Sequence, residues 1–308
     1  MEENVQKTLF KSISFSGIGL HSGVVTEVKL LPAEDNHGIT FVRTDIKINN
    51  NIIANYKNVS SAKLCTTLEN KFGAVVSTVE HLMAAFYITG VDNVIVEINN
   101  SEVPIMDGSS RDFVKMIRDV GLKNLSSKRK FLKILKKVEL KENNRFISIE
   151  PNLDSFDIDF KLSYENNIIG NQNNYISFKN DDLNDVISSR TFCLHEDIEE
   201  IKKHGLAKGG SLENAIVVKN EEVLNEGGLR NKKEFVNHKI LDLAGDFLLS
   251  GYRTLGTVKC SQGGHYLTNL FLKELFKDSS NFQETSSNNI EVIKKHFKTP
   301  INKLAVNS

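Results

Sequence analysis

Tryptophan is absent from this 308-residue chain, and proline (four) and cysteine (three) are scarce. Cys65, Cys193 and Cys260 lie far apart and show no CxxC spacing. That excludes a thiolate zinc ribbon and a dithiol redox motif, and an odd count cannot form a fully paired disulfide framework. Three free thiols in a reducing cytosol are the expectation. Net charge is also missing, with 39 Lys+Arg against 39 Asp+Glu, so nothing in the overall balance points to nucleic acid. No apolar run approaches the ~20 residues needed to cross a bilayer. The start, MEENVQKTLFKSIS, has an early acidic pair and no apolar h-region, so no secretory signal is expected and the location is expected to be cytoplasmic. HExxH and HxxEH do not occur, which removes the common zinc-protease signatures.

What is present describes a globular protein, with 40% apolar and 25% charged residues. The length suits two domains of ~100–150 residues each. TEVKLLPA, GITFVRTD and NVIVEI read as strands separated by turn residues. STVEHLMAAFYITG, residues 77–90, reads as a helix closed by Gly90, with Ser77 as its N-cap. RDFVKMIRDVG follows as a second helix. The polar, basic stretch 121–130 reads as a connector between an N-terminal domain, 1–122, and a C-terminal domain, 131–277. Strands resume with FLKILKKVEL, FISIE and FDIDFKLSY. Helical patterns cover roughly 180–187, 196–204 and 232–250, and TLGTVKC is a late strand. AAFYITG–VDNVIVEI and AGDFLLSG–YRTLGTVKC share a helix–Gly–strand order, which suggests a duplication. The segment 278–308 is polar and thin in apolar residues, so a mobile tail is expected there.

The chemistry concentrates in NHKILDLAGD. His238 and Asp242 are four residues apart on a helix, with Asp246 one turn further. An imidazole and a carboxylate on one face can share a divalent metal if a third ligand joins them, and His81 of the Glu80-His81 pair is the candidate. Zinc accepts such donors, and a catalytic site leaves its fourth position open. The spacing alone equally fits a solvated polar row of Glu234, His238, Asp242 and Asp246, opposite Val236, Ile240, Leu243, Ala244 and Phe247. Glu80 likewise has two readings: a capping-box partner of Ser77, or a base beside a ligand.

Seven landmarks in order carry a resemblance that runs from about Gln6 to Leu275: SGIGLHSG, STVEHLMAA, EVPIMDGSS, SRTFCLHEDIE, GLAKGGSLENAIVV, NEGGLRNKKEFVNHKILDLAGD and GGHYLTN. The chain resembles the UDP-3-O-acyl-N-acetylglucosamine deacetylase family, zinc enzymes of the first committed step of lipid A synthesis in Gram-negative bacteria. The resemblance implies an α+β fold of two similar two-layer domains. Each is a sheet with helices, the helical layers pack together, and the active site lies at the interface. It implies His81, His238 and Asp242 as ligands of one Zn²⁺ per chain, although Fe²⁺ can use similar donors. Glu80 is implied as the general base, and His265 as the cation that stabilises the oxyanion and protonates the leaving amine, a proton that the newly protonated Glu80 could equally donate. It further implies that Asp246 orients His265, that Thr191 donates to the oxyanion, and that Lys239 and Phe192 bind substrate around the sugar, with Leu64 and Cys65 in the pocket floor. By the same resemblance, an insert at about 193–220 would supply an acyl passage from Ile198, Ile201, Leu206, Ala207, Leu212, Ala215 and Val217. Arg145 stands where family members often place a lysine near the diphosphate. His21 belongs to the pattern, with turn-forming and substrate-contacting roles both open.

The implied reaction is hydrolysis of the N-acetyl group of a UDP-linked 3-O-(3-hydroxyacyl) amino sugar. The alternative is a zinc amidohydrolase acting on another N-acyl sugar. No feature calls for nucleic acid, a transmembrane segment or an oligomer.

Overall fold

Alternation of apolar and polar residues builds the sheets. In Val25–Pro32, Thr26, Val28 and Leu30 face inward while Val25, Glu27 and Lys29 face solvent. In Val94–Ile98, every second residue is buried. The computed structural model describes residues 5–286.

The first half carries a five-stranded sheet in the spatial order Ile13–Ile18, Val25–Pro32, Val94–Ile98, Ile39–Arg43, Asn51–Ile53. Val94–Ile98 comes last in the chain yet lies in the middle. It is antiparallel to Val25–Pro32 and parallel to Ile39–Arg43. The second half repeats this arrangement. Arg253–Ser261 is antiparallel to Arg145–Pro151, which pairs with Val138–Glu142, and parallel to Phe156–Ser163, which pairs with Asn171–Ser177. Lys130–Ile134 and Phe282–Ser286 extend this second sheet to seven strands.

Six α-helices are described: α1 (Glu80–Thr89), α2 (Arg111–Val120), α3 (Asn184–Ser188), α4 (Ile198–Lys203), α5 (Glu234–Leu248) and α6 (His265–Leu275). In each half, two hairpins precede one long helix, and the central strand follows it. Gly90 closes α1 in the left-handed region (φ 89°), and Gly251 (φ 82°) occupies the corresponding turn after α5. The helix–Gly–strand likeness in the sequence therefore corresponds to a repeated topology. The mixed α+β architecture agrees with the fold class inferred from the sequence.

In each half, a small three-stranded sheet enters between the second hairpin and the long helix. One holds Val59–Ser61, Thr67–Glu69 and Val75–Val76. The other holds Phe192–Leu194, Ile216–Lys219 and Glu222–Val223.

α1 and α5 pack against each other. A Cβ on Gly245 would collide with the Glu80 carbonyl oxygen, so the backbones touch there. The core is continuous across both halves: the Phe247 ring of α5 lies 5.3 Å from Phe156 and 6.2 Å from Phe271, and Phe156 lies 5.4 Å from Tyr87 of α1.

Three local expectations are corrected, and one helix was not expected. The stretch 121–130 is not a loose connector, because Leu122–Lys128 is a strand antiparallel to Val5–Leu9. Lys123, Asn124, Ser126 and Lys128 are exposed on this two-stranded ribbon, which hid the strand pattern. The segment after 277 begins with ordered structure, since Phe282–Ser286 pairs with Lys130–Ile134. The remainder of the expected tail, including KLAVNS, lies outside the described residues. FLKILKKVEL is two strands, Lys130–Ile134 and Val138–Glu142. Finally, α6 was not foreseen, although Leu267, Phe271 and Leu275 recur every four residues and are buried.

Candidate metal centre and active site

The polar row of α5 is buried rather than solvated. Glu234, His238, Asp242 and Asp246 retain 0%, 1%, 4% and 4% of their exposure. Buried charge must be paired, hydrogen-bonded or bound to a metal. α1 covers this row and brings His81, its second residue, to it. The donor atoms of His81, His238 and Asp242 all lie within 4.8 Å of one another. His81 Nε2 is 3.4 Å and His238 Nε2 3.3 Å from Asp242 Oδ1. That oxygen is buried and has no hydrogen-bond partner among the described residues.

The surroundings prepare this triad for a cation. His238 Nδ1 lies 3.2 Å from the Ser189 carbonyl, which leaves Nε2 as the inward lone pair when Nδ1–H donates. Burial pushes the His238 pKa down to about 3, so the ring stays neutral, as a ligand must be. Burial alone would raise Asp242, but the adjoining His238 ring and the Lys239 ammonium outweigh it and hold the carboxyl well below the usual range. An unpartnered anionic oxygen facing the Nε2 atoms of two imidazoles at 3.4 and 3.3 Å fits one divalent metal.

Glu80 is the first residue of α1. The expected capping box is absent: Val79 is the N-cap without a side-chain bond, and the Ser77 amide is instead bonded to the Ser101 carbonyl. Glu80 turns inward, where its Oε2 accepts the Thr66 amide at 3.1 Å. Burial raises its pKa against the pull of His265 and His81. Thr66 also donates its hydroxyl to Asp246 Oδ1 at 2.7 Å. His265 begins α6, and its Nδ1 lies 2.8 Å from Asp246 Oδ2. Its Nε2 faces Glu80 Oε1 at 3.8 Å and Asp242 Oδ2 at 3.9 Å. Burial would lower the His265 pKa, but the Asp246 and Glu80 charges outweigh it and push it up to about 10. The imidazolium thus persists beside a carboxylate of raised basicity.

Two cavities adjoin this cluster. A cleft of about 1310 Å³ includes Lys63, Arg145, Lys239, Tyr164 and Tyr266 in its lining. A second cavity, of about 330 Å³, is walled by the insert. Leu64, Thr191 and Phe192 line both. Ile198, Ile201, Ala207, Leu212, Ala215 and Val217 line the second cavity as anticipated, and Leu206 does not. Lys239 Nζ bonds Asp242 Oδ2 at 3.0 Å and sits 5.4 Å over the Phe192 ring. Cys65 lines neither cavity. It is buried beside Glu80, with burial pushing its thiol up to about 12.

Sequence reasoning missed two supports. Thr66 ties both Glu80 and Asp246, and only its adjacency to Leu64-Cys65 hinted at this. Arg190 forms a buried ion pair with Glu234 at 2.8 Å, and its amide also bonds Glu234 Oε1. This fixes Thr191 beside the N-terminus of α5. Thr191 is further held by its amide to the Gly108 carbonyl (2.8 Å) and by its carbonyl to the Ile216 amide (2.7 Å).

Comparison with known proteins gives the chain's family. The family model described as UDP-3-O-acyl N-acetylglycosamine deacetylase matches residues 6–277. Three curated relatives are each named UDP-3-O-acyl-N-acetylglucosamine deacetylase. The protein of Wigglesworthia glossinidia brevipalpis is 40% identical over 288 residues, covering 92% of this chain and 96% of that protein. That of Nautilia profundicola is 40% identical over 271 residues, 88% and 91% of the two chains. That of Francisella tularensis subsp. tularensis is 41% identical over 279 residues, 89% and 96%.

Proposed function

Because this chain belongs to the UDP-3-O-acyl N-acetylglycosamine deacetylase family, we propose that it hydrolyses the N-acetyl group of UDP-3-O-(3-hydroxyacyl)-N-acetylglucosamine, releasing acetate, within lipid A biosynthesis. The observation that carries this reading is the meeting of His81, His238 and Asp242 beside Glu80 and the Asp246–His265 pair.

His81, His238 and Asp242 hold the metal, and zinc suits their donors. The bound ion would supply Lewis acidity, lowering the pKa of water from ~15.7 to near ~7 and polarising the amide carbonyl. The rest of the chemistry belongs to the chain. Glu80 uses Oε1, since Oε2 is engaged by Thr66, and takes the proton from the attacking water. His265, protonated and oriented through Nδ1 by Asp246, turns its Nε2–H toward the developing oxyanion. The same proton then passes to the departing amine, which must leave protonated. The Thr191 hydroxyl is the second oxyanion donor, and losing one such donor costs about 10²–10³ in rate. Lys239, with Phe192 beneath it, binds around the sugar, and Lys239 and Arg145 provide cations for the diphosphate. Leu64 stands where the two cavities meet, and the apolar cavity of the insert takes the acyl chain.

No helix among the described residues is long and apolar enough to cross a membrane, and Cys65, Cys193 and Cys260 are unpaired. Free thiols accord with a cytoplasmic setting.

The test is acetate release from the UDP-linked acylated sugar, with chelation and zinc add-back, beside the same sugar lacking its 3-O-acyl chain. The reading expects activity that chelation abolishes and zinc restores, and a strong preference for the acylated compound. Equal rates on the two would remove the lipid substrate, and activity indifferent to chelation would remove the metal.

A further inference from the structure

The cavity of the insert contains one buried polar side chain that the proposed reaction leaves unused. The loop around His21, in the first half, docks on the insert. The Gly209 amide donates to the Leu20 carbonyl at 3.0 Å, and the Lys208 amide to the His21 carbonyl at 3.3 Å. Glu102, buried behind the loop, accepts the His21 amide at 2.8 Å, the Ser22 amide at 2.7 Å and the Thr78 hydroxyl at 3.0 Å. His21 is thus anchored at both backbone polar atoms.

Its ring is anchored at one nitrogen. Nδ1 accepts the Ala207 amide at 3.4 Å. A neutral imidazole with Nδ1 as acceptor carries its proton on Nε2. Burial, against the pull of Glu102, lowers the His21 pKa and keeps the ring neutral. Nε2 is buried and has no hydrogen-bond partner among the described residues. His21 lines the cavity of about 330 Å³. Of the other side chains there with hydroxyl or nitrogen groups, Thr191 is half-buried, and His195, Lys202 and Ser211 are exposed. Hence His21 is the one buried side chain with a nitrogen donor among the described residues lining this mainly apolar cavity. A buried donor left unpaired costs free energy, so its presence there implies an oxygen on whatever fills the cavity.

We propose that His21 Nε2–H donates a hydrogen bond to the hydroxyl of a 3-hydroxyacyl chain, and that His21 thereby selects hydroxylated over plain acyl substrates. This rests on the deacetylase reading above. A site built to bond a substrate hydroxyl discriminates against the analogue without it because its own group is stranded. A single neutral donor of this kind is worth roughly 10- to 100-fold in kcat/KM.

The test compares kcat/KM on two UDP-linked N-acetyl sugars that differ only in the 3-hydroxyl of the acyl chain. The unsubstituted enzyme is expected to prefer the hydroxylated compound by roughly 10- to 100-fold. In His21→Phe, which keeps ring bulk without the donor, that ratio falls to about twofold or less, and His21→Gln, which restores an N–H, recovers much of it. A purely structural histidine would lower both rates together and leave the ratio unchanged in His21→Phe, which overturns the proposal. So does equal kcat/KM for the unsubstituted enzyme, a result that needs no variant to fold. Failure to deacetylate either compound overturns the deacetylase reading and this proposal with it.

Discussion

Glu80 and Asp242 are both buried, yet their neighbours pull them in opposite directions. Burial lifts Glu80 above the ordinary carboxylate value of 4.5, while the adjoining His238 ring and the Lys239 ammonium hold Asp242 well below 3.8. A base needs the first state and a ligand the second. Glu80→Gln should therefore lower kcat by about 10²–10⁴ while the purified protein keeps its metal. Loss of metal from this variant, measured by elemental analysis, would make Glu80 a ligand instead. The pH profile follows from the same pair. If Glu80 is the base, activity should fall on the acid side as it gains a proton, above pH 4.5 because its pKa is raised. It should fall on the alkaline side as His265, the proposed acid, loses its proton, between the ordinary 6.5 and about 10. Asp246→Asn removes the strongest of the charges that raise His265, so the alkaline limb should move down. A limb that stays put in pH–rate measurements would separate His265 from that limb. Thr66→Val keeps the shape of the residue but deletes the hydroxyl that holds Asp246. Supports behind reacting groups of this kind are worth 10–100-fold, and a decrease of about 10-fold in kcat is expected.

At the scale of elements, the site depends on how closely α1 approaches α5. Gly245 lies between the two aspartates of α5 and meets the backbone of Glu80. Gly245→Ala forces a methyl group into that contact, so the helices must part. Overpacking of this kind costs about 1–3 kcal/mol, read as a lower denaturation midpoint. His81 would be displaced from His238 and Asp242, and metal affinity should fall with stability. Unchanged affinity would mean that the helices tolerate separation. Only part of this was legible in the sequence. The four-residue spacing of His238 and Asp242 is a helical signal, and α5 carries it. Spacing could not say whether the row faced water, because that depends on α1, about 150 residues earlier in the chain. Ser77 and Glu80 fitted a capping box, but a positive φ at Thr78 (57°) re-aims the chain and delivers Glu80 to Thr66 instead. Thr66 and the Arg190–Glu234 pair were invisible because their partners are distant in sequence. His265 was singled out by family resemblance, whereas the helix it begins was overlooked despite an apolar residue every fourth position.

In the whole molecule, the two halves repeat one topology and each supplies part of the cluster. Glu80 and His81 come from the first, and His238, Asp242, Asp246 and His265 from the second. An ion held between α1 and α5 binds the folded arrangement, and binding to the folded state alone adds about 2.7 kcal/mol of stability at 100 times Kd. Zinc add-back to the chelated protein should therefore raise the thermal midpoint, and His81→Ala should abolish that rise. The most direct test is anomalous diffraction at the zinc edge from crystals grown with zinc. One peak per chain is expected, at about 2.0–2.2 Å from His81 Nε2, His238 Nε2 and Asp242 Oδ1. A peak elsewhere, or none at these three atoms in an active protein, would contradict it.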